Sequence, residues 1–184
     1  MPDRIAVLGW GSLLWDKRPE FDRWHGSWQH DGPVLKIEFS RISISRSGAL
    51  TLVLDSRDGA DIQVAHCLSL RSRLAQAVED LRKREGTTTS NIGYVRRNGE
   101  GKSRDSRTRS IIAAWAKERD FDAVVWTDLQ SNFPEKTGKP FSIDAAMAYF
   151  RGLPKQGRDA ASDYINKAPD FVDTPLRRRF GTPS

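Results

Sequence analysis

Gly9 and Gly11, one residue apart, end a short apolar run and are followed by Ser12 and Leu13. A turn of this kind exposes backbone amides, and a row of N–H groups can hold a carboxylate or phosphate oxygen. The dinucleotide fingerprint requires a third glycine where Leu14 stands, and no Gly-Lys-Ser/Thr follows, so neither of those phosphate loops is present. Taken alone, Gly9-Trp10-Gly11-Ser12-Leu13 also fits a turn that merely terminates a strand.

Glu85 is the second group of interest. Leu74, Val78 and Leu81 form an apolar helical stripe, and four residues further along the same line is Glu85. A carboxylate there would sit partly buried at the negative end of the helix dipole. Both effects disfavour its charged form and suit proton exchange near neutrality. A frayed helix end would instead leave Glu85 in water.

Two further side chains can join a polar interior. Strict alternation from Leu35 through Ile37 and Phe39 puts Arg41 on the core face, where a guanidinium needs an anionic partner or ligand. A bulge near Ser40 would turn it outward. Tyr94, nine residues after Glu85, either brings a hydroxyl to the same site or packs in the core with its hydroxyl at the edge. The single Cys67 sits in a strand-like run and reads as a buried free thiol. His25, His30 and His66 lack metal-ligand spacing, so no metal is implied.

The elements that must position these residues follow from hydrophobic period. Strands are expected over 4–8, 34–44, 50–54, 62–68, 92–97 and 123–126, with Asp58-Gly59 turning a hairpin between the third and fourth. Helices are expected over 70–84, capped by Gly86, over 107–119, from Ser142 to about Gly152, and over 158–167. The arginines at 177–179 read as surface. This order predicts an α+β protein built on a small curved sheet or mixed-strand β-barrel, with helices outside it.

The 184 residues suit one domain with an appendage: 1–127 as the core domain and 128–184 as a helical C-terminal extension packed on it. Neither a bilayer-spanning stretch nor a signal peptide is evident, so a cytoplasmic protein without membrane partners is expected. The formal charge is +6, much of it in Arg96, Arg97, Lys102, Arg104, Arg107 and Arg109. That segment reads as a solvated surface excursion. The competing function is a non-catalytic protein binding a small molecule or nucleic acid through it, although it holds no aromatic for base stacking.

In combination, these pieces resemble the γ-glutamylcyclotransferases. Residues 5–8 with Gly9-Trp10-Gly11-Ser12-Leu13 are similar to that family's Tyr-Gly-Ser-Leu/Asn loop, with Trp10 in place of the tyrosine. Arg84-Glu85-Gly86 followed by Gly93-Tyr94 is similar to the region of its catalytic glutamate. The resemblance covers about residues 4–127. It implies a mixed-strand barrel whose loop amides bind a small-molecule γ-glutamyl substrate. It further implies Glu85 as general acid/base, release of 5-oxoproline with an amine or amino acid, and no cofactor. Residues 128–184 have no counterpart in compact members, and neither the leaving group nor the oligomeric state follows from the resemblance.

Overall fold

The computed structural model describes residues 3–181. In chain order its regular elements are β1 (Ile5–Gly9), α1 (Pro19–Asp22), β2 (Val34–Ser43), β3 (Ala49–Leu54), β4 (Ala60–Gln63), β5 (Ala65–Leu68), α2 (Leu74–Glu85), β6 (Ile92–Arg96), β7 (Gly101–Lys102), α3 (Ser106–Glu118), β8 (Ala123–Thr127), α4 (Phe133–Thr137), α5 (Ile143–Gly152), α6 (Lys155–Lys167) and α7 (Pro175–Phe180). This is a mixed α+β protein. Among the described residues the strands form two open sheets, ordered β5-β1-β8-β6-β7 and β3-β2-β4, and no sheet closes into the expected barrel.

The chain separates into two compact units. The first holds the residues up to Gly9, 16–35 and 63–129; the second holds 10–15, 36–62 and everything from Gln130 onward. The C-terminal residues share a unit with most of β2 and with β3, against which α6 packs.

In the first unit, β1 runs parallel to β8 and antiparallel to β5, while β6 runs antiparallel to both β8 and β7. Ile5, Ala6, Val7 and Leu8 are buried, as are Ala123 to Trp126. Central strands covered on both faces read as unbroken apolar runs, which is how these two stand out in the sequence. Gly93 pairs with Trp126 across the ladder, and a Cβ on Gly93 would lie 2.3 Å from the indole. Trp126 is fully buried and has little room to yield. Gly93→Ala should therefore cost about 1–3 kcal/mol in urea unfolding; a cost below about 0.5 kcal/mol would show that the ring repacks.

Helix α2 lies on β8, β6 and β1 and buries Leu74, Ala77 and Leu81. It begins four residues later than its apolar stripe suggests. Leu70 is exposed outside it, with its N–H donating to the Trp24 carbonyl. Arg71 stacks on the Trp24 ring and grips Asp80 with two hydrogen bonds of 2.6 and 2.9 Å, so residues 70–73 are spent on a connector. Gly86 ends the helix in the left-handed conformation (φ 59°). The Thr87 N–H reaches the Arg82 carbonyl and the Gly86 N–H reaches that of Lys83, which is the two-bond closure glycine permits.

In the second unit the anticipated hairpin at Asp58-Gly59 does not form, because β2 lies between β3 and β4. The Asp55 carboxylate accepts the N–H groups of Arg57 and Asp58, and Gly59 passes so close to β2 that a Cβ would lie 2.7 Å from the Ile37 nitrogen. The turn thus carries the chain over a strand instead of back along it. The expected strand over 62–68 divides accordingly, β4 joining one sheet and β5 the other. Further on, Ser142 caps α5 by accepting the Ala145 N–H, as anticipated. Arg177 departs from the surface assignment, its guanidinium donating to the carbonyls of Ala168, Pro169 and Val172.

Candidate functional site

Glu85 closes α2 with its side chain 21% exposed, neither frayed into water nor sealed in the core. Its neighbours are cations. The adjoining Arg84, whose side chain is only 3% exposed, holds one guanidinium nitrogen 3.8 Å from the Glu85 carboxylate. Arg84 also donates to the Asp16 carbonyl at 2.8 Å and lies 3.6 Å from the Asp16 carboxylate. Asp16 in turn accepts from Arg18 at 2.9 Å. That hydrogen bond raises the Arg18 pKa above its usual value, and the charge of Glu85 adds to the effect. The result is a chain of alternating charges, Arg18–Asp16–Arg84–Glu85, ending on a reachable carboxylate.

Beside it lies a cavity of about 250 Å³ lined by Arg18, Glu20, Phe21, Asp80, Lys83 and Arg84. Asp80, Lys83 and Arg84 fall at three- and four-residue steps on α2, so they share one face. The Arg84-Glu85-Gly86 phrase marked this place in the sequence, but nothing there pointed to Asp16 or Arg18. Tyr94 is half-buried on β6 opposite Lys102 and Val125, and it does not line this cavity.

The glycine turn divides. Gly9 ends β1 in the first unit, while Trp10, Gly11, Ser12 and Leu13 belong to the second. Trp10, Ser12 and Leu13 are buried. Ser12–Leu14 winds into a 3₁₀ turn in which the Leu14 N–H donates to Gly11 and the Trp15 N–H to Ser12. The Tyr164 hydroxyl lies over Gly11, close enough that a Cβ there would approach it to 2.8 Å. Arg46 donates to the Ser12 hydroxyl at 3.3 Å and sits 5.1 Å from the centre of the Tyr164 ring. Neither Tyr164 nor Arg46 was suspected from sequence, since each is distant along the chain from the turn.

Arg41 is not on the core face. The β2–β3 register slips between Glu38 and Arg41, so the alternation breaks and Ile42 takes the buried position. Arg41 is half-buried and donates to the Gln130 carbonyl at 2.8 Å. The interior charge on this strand is Glu38, wholly buried, with its carboxylate accepting the N–H groups of Phe39 and Leu176. Burial holds the Glu38 carboxyl above the usual carboxylate range, offset in part by the Thr174 hydroxyl and the two backbone bonds.

Cys67 is fully buried and desolvation pushes its thiol well up, which makes it a poor nucleophile. Among the described residues no three His, Cys, Asp or Glu side chains gather in a way that could hold a metal ion. No described helix is long and apolar enough to cross a membrane. In the basic segment, Arg96 faces Asp3, Arg97 pairs with Asp120 and Asp122, Arg104 bonds Asn91, and Lys102 and Arg109 donate to backbone carbonyls.

No family model matches the chain, and no curated protein matches it.

Proposed function

We propose that this chain is a γ-glutamylcyclotransferase-like enzyme that cyclises a γ-glutamyl substrate to 5-oxoproline and releases an amine or amino acid. The observation that carries the reading is the Glu85 carboxylate, fixed at the end of α2 beside Arg84 and still open to solvent on one side. A general base must be both held in place and reachable by the proton it takes.

In the proposed reaction the substrate's own α-amine attacks its γ-carbonyl. The attack is intramolecular, so the entropy of bringing two reactants together is already met. Glu85 removes a proton from the attacking nitrogen, and the C–N bond of the lactam forms. Glu85 then returns that proton to the departing nitrogen as the original amide bond breaks. Atoms balance without a redox partner. Arg84, locked by Asp16, keeps the Glu85 carboxylate in one orientation through both transfers. Arg41 and Tyr94 have no part in the proton transfers.

The test is release of 5-oxoproline from a panel of γ-glutamyl peptides and γ-glutamyl amines by the whole chain. Release from at least one member is expected. No release from any member, by protein that keeps its fold, would sink the proposal.

A further inference from the structure

Residues 24–33, between α1 and β2, belong to no helix or regular strand, yet they run along β5 as an extra edge of the first unit's sheet. The Gly26 N–H donates to the Leu68 carbonyl, Gln29 and His66 exchange N–H groups and carbonyls, and the Gly32 N–H reaches the Val64 carbonyl. At Gly32 the approach is so close that a Cβ would lie 2.4 Å from that carbonyl oxygen. The near end of this strap is pinned by Arg71 stacked on Trp24, and the far end runs into β2 at Val34.

Between those ends Asp31 fastens the strap. One of its carboxylate oxygens takes the Arg119 guanidinium at the end of α3, and the other lies 3.2 Å from the Nδ1 of His66 on β5. The Trp115 indole N–H and a second Arg119 nitrogen reach the Asp31 carbonyl. His66 is buried, with the rings of Trp115 and Phe121 steeply inclined to its own at 5.0 and 5.6 Å. Arg4 lies over the Phe121 ring, 4.3 Å from its centre. The charged groups acting on this imidazole are therefore Asp31 from the strap, Arg119 from α3 and Arg4 from just ahead of β1. With His66 neutral, Asp31 answers Arg119. A proton on His66 adds a third cation to a set that has one carboxylate, in a place from which the rings keep water. Burial and the two guanidiniums outweigh Asp31 and hold the imidazole below its usual pKa. The Trp28 indole nitrogen, also on the strap, is buried without a hydrogen-bond partner among the described residues, a cost that opening removes.

We infer that Asp31, His66 and Arg119 form an acid-released latch: when His66 takes up a proton, the middle of the strap leaves β5 while the rest of the sheet stays paired. Opening returns water to the imidazolium, and water replaces the edge hydrogen bonds that are given up. The hold of the neutral ring is fully present above the ordinary histidine value of 6.5. It is lost as pH falls from there toward the lowered value of the closed form. Asp31 keeps its charge throughout, because the Arg119 bond holds its carboxyl below the usual range. The latch does not depend on the reaction at Glu85.

The experiment follows amide hydrogen exchange in the whole chain by NMR from about pH 7.5 to about pH 5, a span that brackets histidine and stays above the carboxylates. Corrected for intrinsic exchange, protection at Gln29, Gly32 and His66 should fall at least about threefold on acidification, with Val7 and Val125 of the central strands unchanged. Leu70, bonded to the pinned Trp24, should lose less. His66→Asn keeps a polar group near the Nδ1 position without titrating, and it should abolish the pH dependence. If that variant does not fold, the ring proton signals of His66 in the wild-type protein decide, since their titration should coincide with the loss of protection. Flat or rising protection on acidification would overturn the latch, as would an equal loss at Val7 and Val125. So would a His66 titration out of step with the loss, or a pH dependence that survives in His66→Asn, which would pass the role to His25 on the same strap.

Discussion

Glu85→Gln should lower the rate of 5-oxoproline release by about 10²–10⁴-fold, the usual contribution of a positioned acid or base. The substitution keeps the side chain's length and one oxygen but can no longer carry the proton from the attacking to the departing nitrogen. The loss should fall on kcat, with KM nearly unchanged, because the transfer belongs to the transition state. Arg84 keeps its bonds to Asp16 in the variant, so unfolding stability should stay within about 1 kcal/mol of wild type. Rate profiles against pH should lose the limb set by the base. If the variant turns over within threefold of wild type, Glu85 is a bystander.

The second large effect concerns Glu38. Glu38→Ala takes away the acceptor for two buried N–H groups, those of Phe39 and Leu176, and for the Thr174 hydroxyl. Buried donors left without a partner are costly, and about 2–4 kcal/mol of stability should be lost. The loss should appear first at α7, whose N-terminal turn includes the Leu176 amide, as faster hydrogen exchange at Leu176 and Arg177.

Acidity gives an independent reading of the same group. Burial raises the folded pKa of Glu38, and the charge of Asp55 works in the same direction, so the folded protein holds this proton more tightly than the unfolded chain. Between the unfolded value, about 4.3, and the raised folded one, the native state carries the extra proton. The stability that Glu38 contributes therefore declines as pH climbs through that window and levels off above it. Protection at Leu176, corrected for intrinsic exchange, should decline over the same interval, and Glu38→Gln should flatten the curve. A curve that rises across the window would mean that the hydrogen bonds outweigh burial.

Much of the secondary structure was legible because burial wrote a period into it. The runs at 5–8 and 123–126 were found as strands, and α2, α3, α5 and α6 were found to within a few residues at each end. The Gly86 and Ser142 caps were readable because each does one local job. What failed was decided by groups far apart in sequence. Alternation along β2 holds only until the slipped register after Glu38, and a bulge leaves no residue signature there that would distinguish Arg41 from a core-facing charge. Asp58-Gly59 has the composition of a hairpin turn, but the turn spans a strand introduced earlier in the chain. Glu38 faces the Thr174–Leu176 segment, more than 130 residues away. For the candidate site, spacing pointed to Glu85 and to the glycine turn. Asp16, Arg18, Arg46 and Tyr164 stand beside them only because the fold brings them there.

The interleaving of the two units sets an order on their assembly during synthesis. Every strand of the five-stranded sheet has been synthesised once Thr127 is made, so the first unit can complete its hydrogen-bond ladder as soon as that segment emerges from the ribosome. The three-stranded sheet is synthesised far earlier, by Gln63, yet α6 and the acceptor-seeking turn of α7 come last. In the interval β2 carries a carboxylate and β3 an apolar face without their native cover, the condition under which nascent chains engage chaperones. The residues from Gln130 onward thus serve the newborn chain as a delayed cover over a sheet made long before them.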